Sequence, residues 1–182
     1  MKKTLLLGTV CLMALATIFT LSCEKGGSNA NNNNGGQGDD EIQSGYVDLG
    51  LESGTKWNSV NETNPNFYTF DEAIEKFDSA LPTKAQWKEL ISDCQWTFDN
   101  TKKEYKVVGS NNKSIFLPAA GYRRCAADGG GVEQVGTYCL YWSSTPNDTV
   151  PSHSWDFYSY ADQMGTGYCA WCGGLSVRLV QK

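Results

Sequence analysis

The chain has one histidine, His153, in 182 residues, and only 19% of its residues are charged. The shortage of histidine excludes much chemistry. Hydrolases of the Ser-His-Asp or Cys-His kind need an imidazole base held by an orienting carboxylate. His153 stands in a Pro- and Ser-flanked stretch with no such partner to assign, so it is expected as an exposed loop residue. Gly129-Gly130-Gly131 lacks the lysine and the following helix of a phosphate-binding loop. Basic clusters are missing too, and the net charge of −5 argues against nucleic acid as a partner. The longest apolar run, Leu5 to Leu21, is short for a membrane span, which needs about 20 apolar residues.

What the N-terminus does contain is an address. Lys2 and Lys3 precede that apolar run, and small residues lead into Cys23, the pattern of a cleaved secretory signal. Thr20-Leu21-Ser22-Cys23 resembles the bacterial lipobox, in which the cysteine is acylated before the cut. The chain therefore divides into a signal peptide (1–22), a lipidated Cys23 with a Gly- and Asn-rich tether (23–44), and one domain (45–182). The tether buries no apolar surface and reads as flexible. Its expected partner is the membrane, through lipid on Cys23. The expected location is the cell envelope, at the outer membrane, with display on the outer face suggested by Asp39-Asp40-Glu41.

The domain's 138 positions suit a single core. All six Trp and all nine Tyr of the chain fall within it, an aromatic load that serves either core or binding surface. Five cysteines remain there: Cys94, Cys125, Cys139, Cys169 and Cys172. An exported protein can form disulfides, but an odd number leaves at least one thiol unpaired within the chain.

Periodicity sketches the elements. Tyr46 to Leu51 alternates as a first strand, and Trp57 begins a second. Thr69 caps a helix from Phe70 to Phe77, with Phe70, Ile74 and Phe77 on one face. Thr83 and Gln86 form a capping box for a second helix, with Trp87, Leu90, Ile91 and Cys94 on its apolar face. Thr97 to Lys103 reads as a polar turn. A hairpin is expected from Glu104–Val108 and Ser114–Leu117 around Gly109-Ser110-Asn111-Asn112. Further strands are expected at Tyr138–Ser144, Ser154–Tyr160 and Leu175–Val180. Two helices followed by short strands and long loops make an α+β domain.

Five segments, in order, resemble the major paralogous domain of bacterial lipoproteins. They are Tyr46-Val47-Asp48-Leu49-Gly50-Leu51, Leu81-Pro82-Thr83-Lys84-Ala85-Gln86-Trp87, Phe116-Leu117-Pro118-Ala119-Ala120-Gly121-Tyr122-Arg123, Tyr141-Trp142-Ser143-Ser144-Thr145 and Gly174-Leu175-Ser176-Val177-Arg178. That family is similar to formylglycine-generating enzymes, so the resemblance implies their variant of the C-type lectin fold. It also implies a presented surface of loops and one small sheet. Calcium is the one cofactor the resemblance allows. Thr145-Pro146-Asn147-Asp148 and Trp155-Asp156 are similar to parts of the lectin calcium and sugar motifs, although a Pro-Asn turn is the plainer reading. Otherwise no cofactor is expected.

Cys169-Ala170-Trp171-Cys172 has the spacing of a redox or half-zinc site. Glycines surround it with turn signals, so a local disulfide or unrelated loop thiols is the plainer reading. The segment from Pro151 to Gly174 is rich in aromatic, Ser and Gly residues and has no Lys, Arg or Glu, a mixture that resembles a paratope. Alternation assigns Trp155 and Phe157 to the core and presents Asp156, Tyr158 and Tyr160; Tyr168 and Trp171 complete the expected ligand-binding set. The same region is where lectin-fold variable proteins of diversity-generating retroelements carry their mutated residues. The expected function is ligand binding, to an extracellular protein or glycan, without catalysis. The alternatives are an oxidoreductase or metal-dependent enzyme using Cys169 and Cys172, and a structural subunit of a surface appendage.

Overall fold

The computed structural model describes residues 45–161 and 163–182. The expected signal peptide (1–22), the expected lipidation site Cys23 and the expected tether to residue 44 lie outside the described residues. The domain is α+β, with two helices and several small antiparallel sheets.

Both helices begin where local chemistry says they should. α1 (Phe70–Phe77) opens on Thr69, whose side chain accepts from the Glu72 amide while Glu72 reaches back to the Thr69 amide. α2 (Lys84–Asp93) repeats the reciprocal cap with Thr83 and Gln86. Each cap satisfies amides that an unfinished first turn leaves unpaired.

The first sheet holds β1 (Tyr46–Asp48), β2 (Lys56–Asn58) and β11 (Val180–Gln181), with β2 in the middle. The domain's first and last strands thus meet on one partner, which closes the fold. A second sheet is the expected hairpin of β4 (Glu104–Val108) and β5 (Ser114–Pro118), extended by β3 (Gln95–Asp99). A short ribbon follows, β6 (Tyr122–Arg123) with β7 (Val132–Glu133). The last sheet is β8 (Cys139–Pro146), β9 (His153–Tyr160) and β10 (Gln163–Ala170), with β9 central.

Three segments depart from the sequence reading. Thr97–Asp99 is strand, not turn, because Trp96 and Phe98 pack on Tyr105 across the ladder. β10 forms where glycines had suggested loop. Leu175–Arg178 is buried throughout yet makes only isolated bridges, Leu175 to Tyr68 and Ser176 to Tyr141, and regular pairing resumes at Val180.

β8 separates two apolar clusters, since successive side chains leave opposite faces of a strand. Tyr141 joins a cluster with Trp57, Trp87, Leu117 and Phe157, while Trp142 joins another with Tyr68, Phe70, Leu81 and Leu175. Trp87 ties the first cluster together: its ring lies 4.8 Å from Phe157 and 4.6 Å from Trp57, and its Nε1 donates to the Trp142 carbonyl at 3.1 Å.

A buried arginine pins the C-terminal segment. Arg178 is 1% exposed and donates from Nη1 to the Asn58 carbonyl at 2.8 Å and from Nη2 to the Phe116 carbonyl. One side chain therefore bridges β2, β5 and the run leading into β11.

Candidate functional site

Four tyrosines stand in a row that runs from the β6–β7 ribbon onto β9 of the β8–β9–β10 sheet. The antiparallel register pairs Cys139 with Ser159 and Leu140 with Tyr158. One step outward, that register sets Tyr138 opposite Tyr160, and their rings stack at 4.7 Å with planes only 7° apart. Tyr158, two residues along on the same face of β9, lies 5.9 Å from Tyr160. Tyr122 of β6 approaches Tyr138 at 6.4 Å from the other end.

Polar partners hold the row. The Tyr122 hydroxyl donates to Glu133 at 3.2 Å, and Arg124 pairs with the same carboxylate at 3.2 Å. Burial, and then the Glu133 hydrogen bond, push the Tyr122 phenol above its ordinary pKa. Tyr160 donates to Gln163 at 2.8 Å. Tyr158 covers the glycines of β10: a Cβ on Gly165 would stand 3.1 Å from its hydroxyl, and one on Gly167 would stand 3.1 Å from its Cδ1. An aromatic ring laid over glycines restores side-chain packing that they lack. All four rings are partly exposed. Rigid rings with few rotatable bonds suit a contact surface, because little entropy is lost on binding.

The expected site residues divide. Tyr158 and Tyr160 are in the row. Asp156 is not presented: it is 4% exposed, and its Oδ1 accepts from the Gly167 amide at 3.1 Å. Burial raises its carboxyl to about 7, against an ordinary 3.8, with the Gly167 hydrogen bond opposing. Tyr168 is 53% exposed but lies on the opposite face of the sheet, edge-on to His153 and Trp155. Trp171 is half-buried, stacks on Phe70 at 5.5 Å and donates to the Ser154 hydroxyl at 2.8 Å, so much of it serves packing. Trp155, expected in the core, is half-buried beneath Lys84, whose ammonium lies over its ring. Phe157 is fully buried as expected. His153 opens β9 half-buried, with Nδ1 donating to the Pro151 carbonyl at 2.8 Å, and is not an exposed loop residue. The alternation along β9 is as expected, and the differences are that Asp156 is buried and Trp155 is partly exposed, because β9 is the central strand and is flanked on both sides there.

Asp156 makes stability depend on pH in a stated direction. The unfolded carboxyl loses its proton near pH 4, whereas the folded one keeps it to about 7. Between those values the folded state holds more protons, so this group's effect on stability worsens as pH rises and then levels off. Asp156→Asn keeps an acceptor for Gly167 and removes the charge. Urea unfolding at pH 8 should show the variant more stable by on the order of 4 kcal/mol. The advantage should vanish near pH 4; an equal gain at both pH values would contradict this origin.

The cysteine motif is split. Cys172 is bonded to Cys125, 47 residues away in sequence, while Cys169 is free. Cys169 and Cys172 therefore do not form the local pair that a redox or half-zinc reading requires. Burial pushes the free thiols Cys94 and Cys169 up to about 11 and Cys139 to about 12, which leaves none activated as a thiolate. Asn147 forms a turn: its Oδ1 accepts from the Thr149 amide and hydroxyl and the Val150 amide. Among the described residues no group of three His, Cys, Asp or Glu is placed to hold a metal ion.

Tyr122 and Tyr138 carry no site signal in the sequence. The position of Tyr138 just before β8 acquires meaning only once the β8–β9 register is known. No family model, curated protein or solved structure matches this chain.

Proposed function

We propose that this is a ligand-binding module of the bacterial cell envelope, anchored by lipid on Cys23, with Tyr122, Tyr138, Tyr160 and Tyr158 as its contact surface. The partner is an extracellular protein or glycan. The observation that carries the reading is the tyrosine row itself: four partly exposed rings in succession, contributed by β6, the residue before β8, and β9. Aromatic rings with hydroxyl tips are suited both to protein hot spots and to the faces of sugars. We also assign the domain to the C-type-lectin-like folds. The five ordered segments, the α+β architecture and the meeting of first and last strands on β2 support that assignment.

The test is a glycan and extracellular-protein array probed with the whole chain beside a Tyr138→Ala, Tyr160→Ala double variant. Hot-spot aromatics contribute about 2 kcal/mol or more each. Two such losses amount to about 4 kcal/mol, so binding by the double variant should fall roughly 1,000-fold, with cooperative thermal unfolding retained. Full binding by that variant would remove the row from the proposal.

A further inference from the structure

β10 lies at one end of the β10–β9–β8 sheet, and among the described residues no strand runs along its outer side. Two contacts fix which of its backbone groups face that side. The Trp171 amide donates to the Ser152 carbonyl at 2.9 Å, which continues the β9–β10 ladder by one pair, and the Gly167 amide reaches Asp156 Oδ1 at 3.1 Å. Odd-numbered residues of β10 therefore turn their amides toward β9. Alternate residues of an antiparallel strand bond to opposite sides, so Met164, Thr166 and Tyr168 turn their N–H and C=O groups outward. Among the described residues those groups have no backbone partner. None of residues 163–168 is buried, so the row is open to another chain.

Exposed edges are normally blunted by charge, proline, a bulge or short length. β10 has none of these: its eight residues pair with β9 in unbroken register, and none is charged or a proline. The remaining edge strands run two to five residues, except β8, whose outer side is met by Ser176. Alternating donors and acceptors at a two-residue repeat fit an extended backbone and nothing else. The side chains select among extended backbones. Met164, Thr166 and Tyr168 share one face of the strand. A second β10, turned about a two-fold axis at Thr166, sets Met164 opposite Tyr168 in both directions and Thr166 opposite itself. Sulfur against an aromatic ring and threonine against threonine are favourable cross-strand pairs, and no like charges meet. On the other face Gly165 and Gly167 come together without side chains to clash.

We propose that β10 pairs antiparallel with β10 of a second copy of this chain, joining two three-stranded sheets into one. Met164 pairs with Tyr168, Thr166 with Thr166 and Tyr168 with Met164, and each pair exchanges two backbone hydrogen bonds. The contact is self-complementary and uses both free edges, so assembly stops at the dimer.

The test is sedimentation velocity of the whole chain from roughly 1 μM to 1 mM, a range that covers weak and moderate dimers, with amide hydrogen exchange read residue by residue. The chain should pass from monomer to dimer, and exchange at the Met164, Thr166 and Tyr168 amides should slow by at least about tenfold. Thr166→Pro removes the two donors at the axis, one from each copy, and should raise the dissociation constant at least about 30-fold. The Thr166 amide faces away from β9, so proline there leaves the β9 ladder intact. If that variant does not unfold cooperatively, Thr166→Lys replaces it; two like charges at the axis should raise the constant about fivefold. A monomer throughout the range would overturn the proposal. So would a dimer that the folded Thr166 variant leaves unchanged, or one whose three outward amides exchange as fast as in the monomer. Slowed exchange in a chain that stays monomeric, seen only on adding N-acetyl-Thr-Val-Thr-Val-Thr methylamide, would give the edge to another protein's strand and overturn it as well.

Discussion

Trp87→Ala is expected to lower the domain's stability by about 3–5 kcal/mol, the usual cost of deleting a fully buried tryptophan. The ring is 0% exposed and lies within 5.7 Å, centroid to centroid, of Trp57, Phe157 and Tyr141. Removing it leaves a cavity where the first sheet, α2 and the β8–β9 pair converge. It also removes the donor to the Trp142 carbonyl, a backbone group already buried between the two clusters. Trp87→Phe separates the two effects, since it fills most of the cavity but cannot donate. Its cost should be smaller, on the order of 1–2 kcal/mol for the lost buried hydrogen bond and residual space. Urea unfolding followed by circular dichroism decides the matter. A loss below about 1 kcal/mol for the alanine variant would mean that the clusters are not joined through this residue.

Removing the Cys125–Cys172 bond should have an effect of similar size. A crosslink closing 47 residues restricts the unfolded chain by about 4 kcal/mol in the chain-entropy account. Replacing both residues by serine should therefore lower the melting temperature by roughly 10 °C. The bond joins the loop after β6 to the turn after β10, so it holds the ribbon carrying Tyr122 against the last sheet. Loss of the bond should weaken ligand binding even where the domain remains folded. Peptide mapping under non-reducing conditions offers a sharp check. A Cys125–Cys172 crosslink is predicted, and a Cys169–Cys172 crosslink would contradict the fold at this corner and revive the two-cysteine motif.

Local features were legible in the sequence and non-local ones were not. The two capping boxes, Thr69 with Glu72 and Thr83 with Gln86, depend on atoms within one turn, and both helices start where the pattern places them. The β4–β5 hairpin is equally local. β10 was not legible, because Gly165 and Gly167 read as turn residues; the glycines are there to receive Tyr158 and Asp156 from the neighbouring strand. β3 was hidden by its polar neighbours, since only Trp96 and Phe98 carry the inward alternation.

The site follows the same division. The region rich in tyrosine was visible in the sequence, and Tyr158 and Tyr160 were placed in the expected ligand set. Which face they share, and with what, depends on the β8–β9 register, which brings Tyr138 across to Tyr160 and Tyr122 beside it. The β9–β10 register sets Gly167 against the buried Asp156 and places Tyr168 on the far face with Trp155. Cysteine pairing is the least local property of all. No spacing rule distinguishes Cys125–Cys172 from the other pairs that five cysteines allow.

Two tyrosine variants, compared against one ligand found on the array, separate the two faces of the sheet as binding surfaces. Tyr160→Ala removes a ring from the row, whereas Tyr168→Ala removes the most exposed tyrosine of the opposite sheet face. Tyr160→Ala should raise the dissociation constant by at least roughly 30-fold, and Tyr168→Ala should change it by less than about twofold. Equal losses, or the greater loss from Tyr168→Ala, would contradict the tyrosine row as the binding surface.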